Sequence, residues 1–270
     1  MRHLVFVFSL LGIFALGACG EYQKVVESTD TTYQLEKAIE YYEAEEYDKA
    51  QPLFDKLLKV YRGTQKAATV YYYYAETNFA MESYILAAYH YSNFAKTFPE
   101  HEKTPEAYYK VGLSYYRQSP RPSLDQAYTH KAIDALQLYA NLYPSEGRLQ
   151  EVNELIEDLR AKLERKVYER AKLYFNMENF QAAVSAFNNV MDQFPDTQYR
   201  ENAMYFRTLA AYKLAEGSIP SKQRQRFIEA RTSLREFKSI FQQSEYLKEL
   251  NPLEDKIKAF LTHNPTAQNS

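Results

Sequence analysis

The sequence predicts an all-α fold in which antiparallel helix pairs stack in series, and three observations point to it. First, only four of the seven glycines lie beyond Gly20, namely Gly63, Gly112, Gly147 and Gly217. A β-rich chain with many tight turns needs more, because such turns use φ > 0. Second, a small residue followed three positions later by an aromatic recurs at Ala38/Tyr41, Gly112/Tyr115 and Ala171/Tyr174. Ala75/Asn78 is the same pair with a polar substitution, and Leu209/Tyr212 is a weaker copy. Third, Phe98-Pro99, Tyr143-Pro144 and Phe194-Pro195 each follow a helical pattern. Proline stops a helix there because it lacks an N–H and disfavours helix in the residue before it.

Within each unit a later alanine follows, at Ala50, Ala87, Ala132, Ala183 and Ala230. The small residues mark where two helices cross closely, and the aromatics fill the space between them. These features resemble tetratricopeptide repeats over residues 31–245. The resemblance implies an α-α superhelix of about five helix pairs plus a C-terminal capping helix. The separations to the second alanine are 12, 12, 20, 12 and 21 residues. Repeats three and five are therefore expected to carry longer turns, near Ser119-Pro120-Arg121-Pro122 and near Gly217-Ser218-Ile219-Pro220. They read as partner contacts or as tolerated insertions.

The remaining elements follow in chain order. Residues 1–18 have a short basic start (Arg2, His3), an apolar run from Leu4 to Leu16 and small residues at Gly17 and Ala18. That is the form of an export signal, too short to span a bilayer well. Leu16-Gly17-Ala18-Cys19 resembles a bacterial lipobox, with Cys19, the sole cysteine, receiving the acyl (palmitate) chains. Residues 19–30 read as a lipidated flexible tether because the stretch is polar. The N-terminal repeats one to three occupy 31–146. The segment 147–262 holds a linking helix, repeats four and five and the cap. In the linking helix Leu149, Val152, Leu155, Ile156, Leu159 and Leu163 keep helical spacing into repeat four. The cap is expected near 253–261, and residues 263–270 read as a disordered tail.

Composition excludes several function classes. No glycine cluster can cradle phosphate. The net charge of -2 is unlike that of nucleic-acid binders, so no nucleic-acid partner is expected. None of His90, His101, His130 and His263 has a second histidine four residues on, so no metal site or cofactor is expected. No catalytic residue is assigned, and the chain is not expected to be an enzyme. Charge is uneven: residues 21–60 carry ten acids and five bases, whereas 160–172 carry six bases and two acids. Solvated faces and an acidic partner for the C-terminal half are both compatible with this.

In the usual repeat register the inner face of repeats one to three presents Leu35, Ile39, Tyr42, Tyr72, Glu76, Phe79, Tyr109, Leu113 and Tyr116. Tyr42, Tyr72, Glu76, Phe79, Tyr109 and Tyr116 are the candidate client-binding groove. Tyrosine suits an extended peptide, offering broad apolar contact and one hydroxyl. Packing between helices is the competing reading. Arg165, Tyr168, Lys172 and Phe175 are the candidate partner-binding face in repeat four. Tyr71, Tyr74, Tyr108 and Tyr115 fall at core positions.

A lipobox with five such repeats resembles the BamD-type family of outer membrane protein assembly lipoproteins. The run Tyr71–Ala75 before Ala87, the Tyr168–Tyr174 helix and Phe194-Pro195-Asp196-Thr197-Gln198 carry the likeness. It weakens in repeats one and five, where Arg62 and Gln242 replace the closing proline. The resemblance implies a lipid-anchored protein on the periplasmic face of the outer membrane. Its implied partners are the periplasmic domains of a BamA-like insertase and unfolded outer-membrane β-barrel clients. A different periplasmic adaptor lipoprotein, serving cell-wall synthesis or envelope division, is the alternative.

Overall fold

The computed structural model describes residues 20–145 and 147–265. The signal segment 1–18, Cys19 and residues 266–270 of the tail lie outside the described residues. Among the described residues there are helices and no strands. After a helical stretch at 20–27 come α1 (Thr31–Glu43), α2 (Tyr47–Val60), α3 (Ala67–Ala80), α4 (Tyr84–Thr97), α5 (Thr104–Gln118) and α6 (Ala127–Leu142). They are followed by α7 (Leu149–Asn176), α8 (Phe180–Gln193), α9 (Arg200–Glu216), α10 (Pro220–Ile240) and α11 (Leu247–His263). The chain divides into two units, up to Leu159 and from Arg160. Each is a stack of helix pairs in the tetratricopeptide manner.

The ends of the helices are set by short local sequences. α4, α6 and α8 stop at Phe98, Tyr143 and Phe194, whose N–H groups donate back to Phe94, Tyr139 and Val190 carbonyls. Tyr61 and Phe241 take the same place after α2 and α10 without a proline behind them. Within the pairs, the turns of repeats one, two and four share one geometry. Glu45, Glu82 and Glu178 adopt φ of 60°, 58° and 58°. The residue after each donates to a carbonyl five positions back: Glu46 to Tyr41, Ser83 to Asn78, Asn179 to Tyr174. This is a Schellman closure, in which one left-handed residue lets the orphan carbonyls find donors.

The first unit buries the small residues where the spacing predicts. Ala38, Ala50, Ala75, Ala87 and Ala132 are fully buried. A Cβ on Gly112 would stand 2.6 Å from Leu136 Cδ2 and 3.2 Å from the Leu136 backbone nitrogen. Glycine there is what lets α5 and α6 approach so closely.

Two boundaries of the first unit differ from expectation. The stretch expected to be a flexible tether is helical from 20 to 27 and docked on repeat one. Val25 is fully buried, and Tyr22 meets Tyr41 edge-on at 5.7 Å. The Gln34 amide donates to the carbonyls of Val25, Val26 and Ser28 at 2.9–3.0 Å. Tyr22, Val25 and Val26 carry helical spacing that the surrounding polar residues hide. The second difference is that the first unit extends beyond residue 146 to Leu159. Val152, Ile156 and Leu159 of α7 are buried with Tyr109, Leu136 and Tyr139.

The second unit has two joined cores. One gathers Tyr168, Ala171, Ala183, Phe187 and Val190, the other Tyr212, Phe227, Leu234, Phe237, Leu250 and Ile257. The insertion in repeat three is a loop between α5 and α6, as expected. That in repeat five is not: only residues 217–219 separate α9 from α10, and α10 runs for 21 residues. Pro220 starts that helix at its first turn, where its missing N–H costs nothing. The cap is longer than 253–261, spanning Leu247–His263, with Phe260 against Phe227 at 4.2 Å. His263 lies in this helix, and Arg224 donates to the carbonyls of Asn264 and Pro265.

Candidate functional site

The run Tyr71–Tyr74 on α3 is divided among three surroundings by the 100° step of the helix. Tyr74 faces the core, with its ring 4.5 Å from His90 and its hydroxyl donating to Asp55. Tyr71 packs on Phe98. Tyr72 and Tyr73 turn to a cavity of about 470 Å³, lined also by Tyr42, Ala68, Thr69, Glu76, His101, Glu102 and Lys103. Its rings meet edge to face: Tyr42–Tyr73 at 5.3 Å and Tyr72–Tyr73 at 6.4 Å.

Glu76 organises this cavity. Its Oε2 accepts from the Tyr42 hydroxyl at 3.2 Å and from Lys110 Nζ at 3.3 Å. Both side chains of the Glu76–Lys110 pair are mostly buried, and the Lys110 ammonium also stands 4.7 Å from the Phe79 ring centre. Burial, and then the Glu76 charge, hold the phenols of Tyr42, Tyr72 and Tyr91 well above the ordinary tyrosine range. Of the three, the Tyr42 hydroxyl donates to Glu76, while the buried Tyr91 hydroxyl has no hydrogen-bond partner. Lys103 lies 5.9 Å from the Tyr72 ring.

Of the six groove residues read from sequence, Phe79 stands outside the lining, 4.7 Å from the Lys110 ammonium, and Tyr42, Tyr72 and Glu76 line the cavity. Tyr109 does not. It is buried between helices, with its hydroxyl on Glu151 at 2.6 Å and Arg148 over its ring. Tyr116 is half-buried, and its hydroxyl donates to Asp158 at 3.0 Å. Leu35 of the wider inner face is also core. The cause is α7: its first turns cover the face that repeat three would otherwise present. Sequence reading missed Tyr73, His101, Lys103 and Lys110. Lys110 reaches Glu76 across 34 residues, a pairing that the 37-residue recurrence of Ala38, Ala75 and Gly112 hints at only by placing α3 and α5 on the same face.

In the second unit Arg165, Tyr168, Lys172 and Phe175 fall on one side of α7. Arg165 is exposed and stands 3.9 Å from Glu169. Tyr168 is core, stacked on Tyr199 at 4.5 Å. Lys172 lies 5.5 Å from the ring of Phe206, which also meets Phe175 at 5.1 Å. Phe206 thus joins this face and was not read from the sequence. The exposed charge here is Arg165 beside Glu169, whereas Lys172 is half-buried over the Phe206 ring.

No curated protein matches the chain. Among solved structures, the TPR2AB-domain:pHSP90 complex of yeast Sti1 is similar at 14% identity and a TM-score of 0.40, covering 84% of this chain and 98% of that one. A likeness of that size bears on neither face. A family model described as YfiO, outer membrane lipoprotein, matches residues 28–226, which takes in both faces just described. With most of its length matched, the chain belongs to the YfiO family of outer membrane lipoproteins.

Proposed function

We propose that this protein is a non-catalytic adaptor of outer-membrane β-barrel assembly. In this reading Cys19 carries the lipid anchor, and the protein sits on the periplasmic face of the outer membrane. The first unit holds an extended segment of an unfolded barrel client. The second unit docks on the periplasmic domains of a BamA-like insertase. The observation that carries the reading is the tyrosine-walled cavity around Glu76, with phenol hydroxyls and apolar ring faces on one wall. Such walls suit a peptide whose backbone needs hydrogen bonds and whose side chains are apolar. No step of bond making is required, and anchoring raises the local concentration of client near its acceptor.

The test is a photo-crosslinking residue at position 72, compared with one at Lys59 on α2. Adducts with unfolded barrel precursors are expected from position 72 alone. Depletion of the protein should lower the amount of folded barrels; unchanged amounts sink the assembly role. Arg165→Glu with Lys172→Glu should weaken insertase binding about tenfold, or ~1.4 kcal/mol, without loss of helix. Binding that persists would move the partner site elsewhere.

A further inference from the structure

We infer that the segment after Cys19 is a rigid mount and that it sets the first unit directly against the lipid headgroup layer. The inference rests on the reading of Cys19 as the acylated residue. A flexible stretch of the twelve residues 19–30 would range over roughly 20 Å. The helix at 20–27 removes that slack. It reaches Gly20, the residue bonded to Cys19, and consecutive Cα atoms stand about 3.8 Å apart.

Four contacts fix this helix to repeat one. Val25 is fully enclosed. The Gln34 side chain, itself fully buried, donates to three carbonyls at the end of the segment. Lys56 Nζ reaches the Val26 carbonyl at 3.4 Å, and Tyr22 rests on Tyr41. Asp30 then caps α1 by accepting from the N–H groups of Thr32 and Tyr33, so the junction between the two helices is also held. The occupant of the surface beside the first turn of this helix is a phospholipid bilayer, because acyl chains on Cys19 must enter one within a residue's length. The consequence is positional: repeat one cannot drift from the membrane, and the tyrosine-walled cavity of the same unit is presented at a set height above it.

The test uses the full-length lipidated protein in vesicles of phosphatidylethanolamine and phosphatidylglycerol, with a spin label on Lys24→Cys. Cys19 is the only cysteine of the chain, and its thioether leaves a single reactive thiol for labelling. The label is expected to give the broadened line of an ordered helix and strong relaxation by a nickel-chelating lipid. A long Gly-Ser insert between Gly20 and Glu21 should keep the broad line but abolish the relaxation. Val25→Asp should narrow the line. A narrow line in the uninserted protein, unchanged by Val25→Asp, would overturn the docked mount. Relaxation that survives the insert would overturn its role in positioning. Mass spectrometry of the Cys19 peptide separates these from failure of the anchor itself: an unmodified thiol removes the lipid reading while leaving the docked helix to be seen in solution.

Discussion

At the scale of single residues, three glutamates hold positions where a helix end ordinarily takes glycine. Glu45, Glu82 and Glu178 sit at φ near 60°, where a Cβ crowds the backbone. Nothing in the residue type announces this, and the turns are legible in sequence only through the aromatics that follow. Glu82→Gly is therefore expected to stabilise the protein by about 0.5–1 kcal/mol, seen as a thermal midpoint raised by about 1–3 °C. An unchanged or lower midpoint would mean that Glu82 makes compensating contacts. Gly112 is the opposite case. Its spacing from Tyr115 predicts a helix crossing, and its missing Cβ is where Leu136 sits. Leu136 is fully buried, and its backbone nitrogen as well as its side chain lies close to the missing Cβ. Gly112→Ala should cost about 1–2 kcal/mol in chemical denaturation, the overpacking outweighing the better helix propensity of alanine.

At the scale of elements, the cavity joins three first helices of successive repeats through one carboxylate. Tyr42 comes from α1, Glu76 from α3 and Lys110 from α5. Removing the ammonium strands a mostly buried charge, so Lys110→Met should destabilise the first unit by about 2–3 kcal/mol. Adding Glu76→Gln to Lys110→Met should recover much of that loss, and the two changes should couple in a double-mutant cycle. Simple additivity would show that solvent already screens the pair. The groove positions of α1 and α3 follow from helical register, whereas Tyr109 on α5 follows from what covers it. Its neighbours Glu151 and Arg148 belong to the linking segment, and no register rule for repeats includes that segment.

At the scale of the whole molecule, tyrosine is the main structural currency, with 26 in the chain and no tryptophan. Burial, together with nearby carboxylates, raises the phenols of Tyr42, Tyr72, Tyr91 and Tyr109 in the first unit and Tyr205 in the second. The unfolded chain ionises these phenols near the ordinary value of about 10, while the folded chain keeps them protonated. Folded stability is thus present below that pH and is lost as pH rises beyond it. Alkaline titration at 295 nm should show these five tyrosines ionising only as helical circular dichroism is lost. Titration of all tyrosines in one step with the helices intact would contradict this. In Tyr91→Phe the fall of stability above that pH should be shallower.

Sequence alone determined the all-α class, the pairing of small and aromatic residues, and the helix ends at aromatic-proline, because these depend on local spacing and local backbone chemistry. It located Tyr42, Tyr72, Glu76 and Phe79 on one face for the same reason. Only the tertiary structure decided that Tyr109 and Tyr168 are core, that the added residues of repeat five lengthen α10, and that residues 20–27 form a docked helix. Each of these turns on which distant surface is near enough to exclude water, and that is a property of the packed chain.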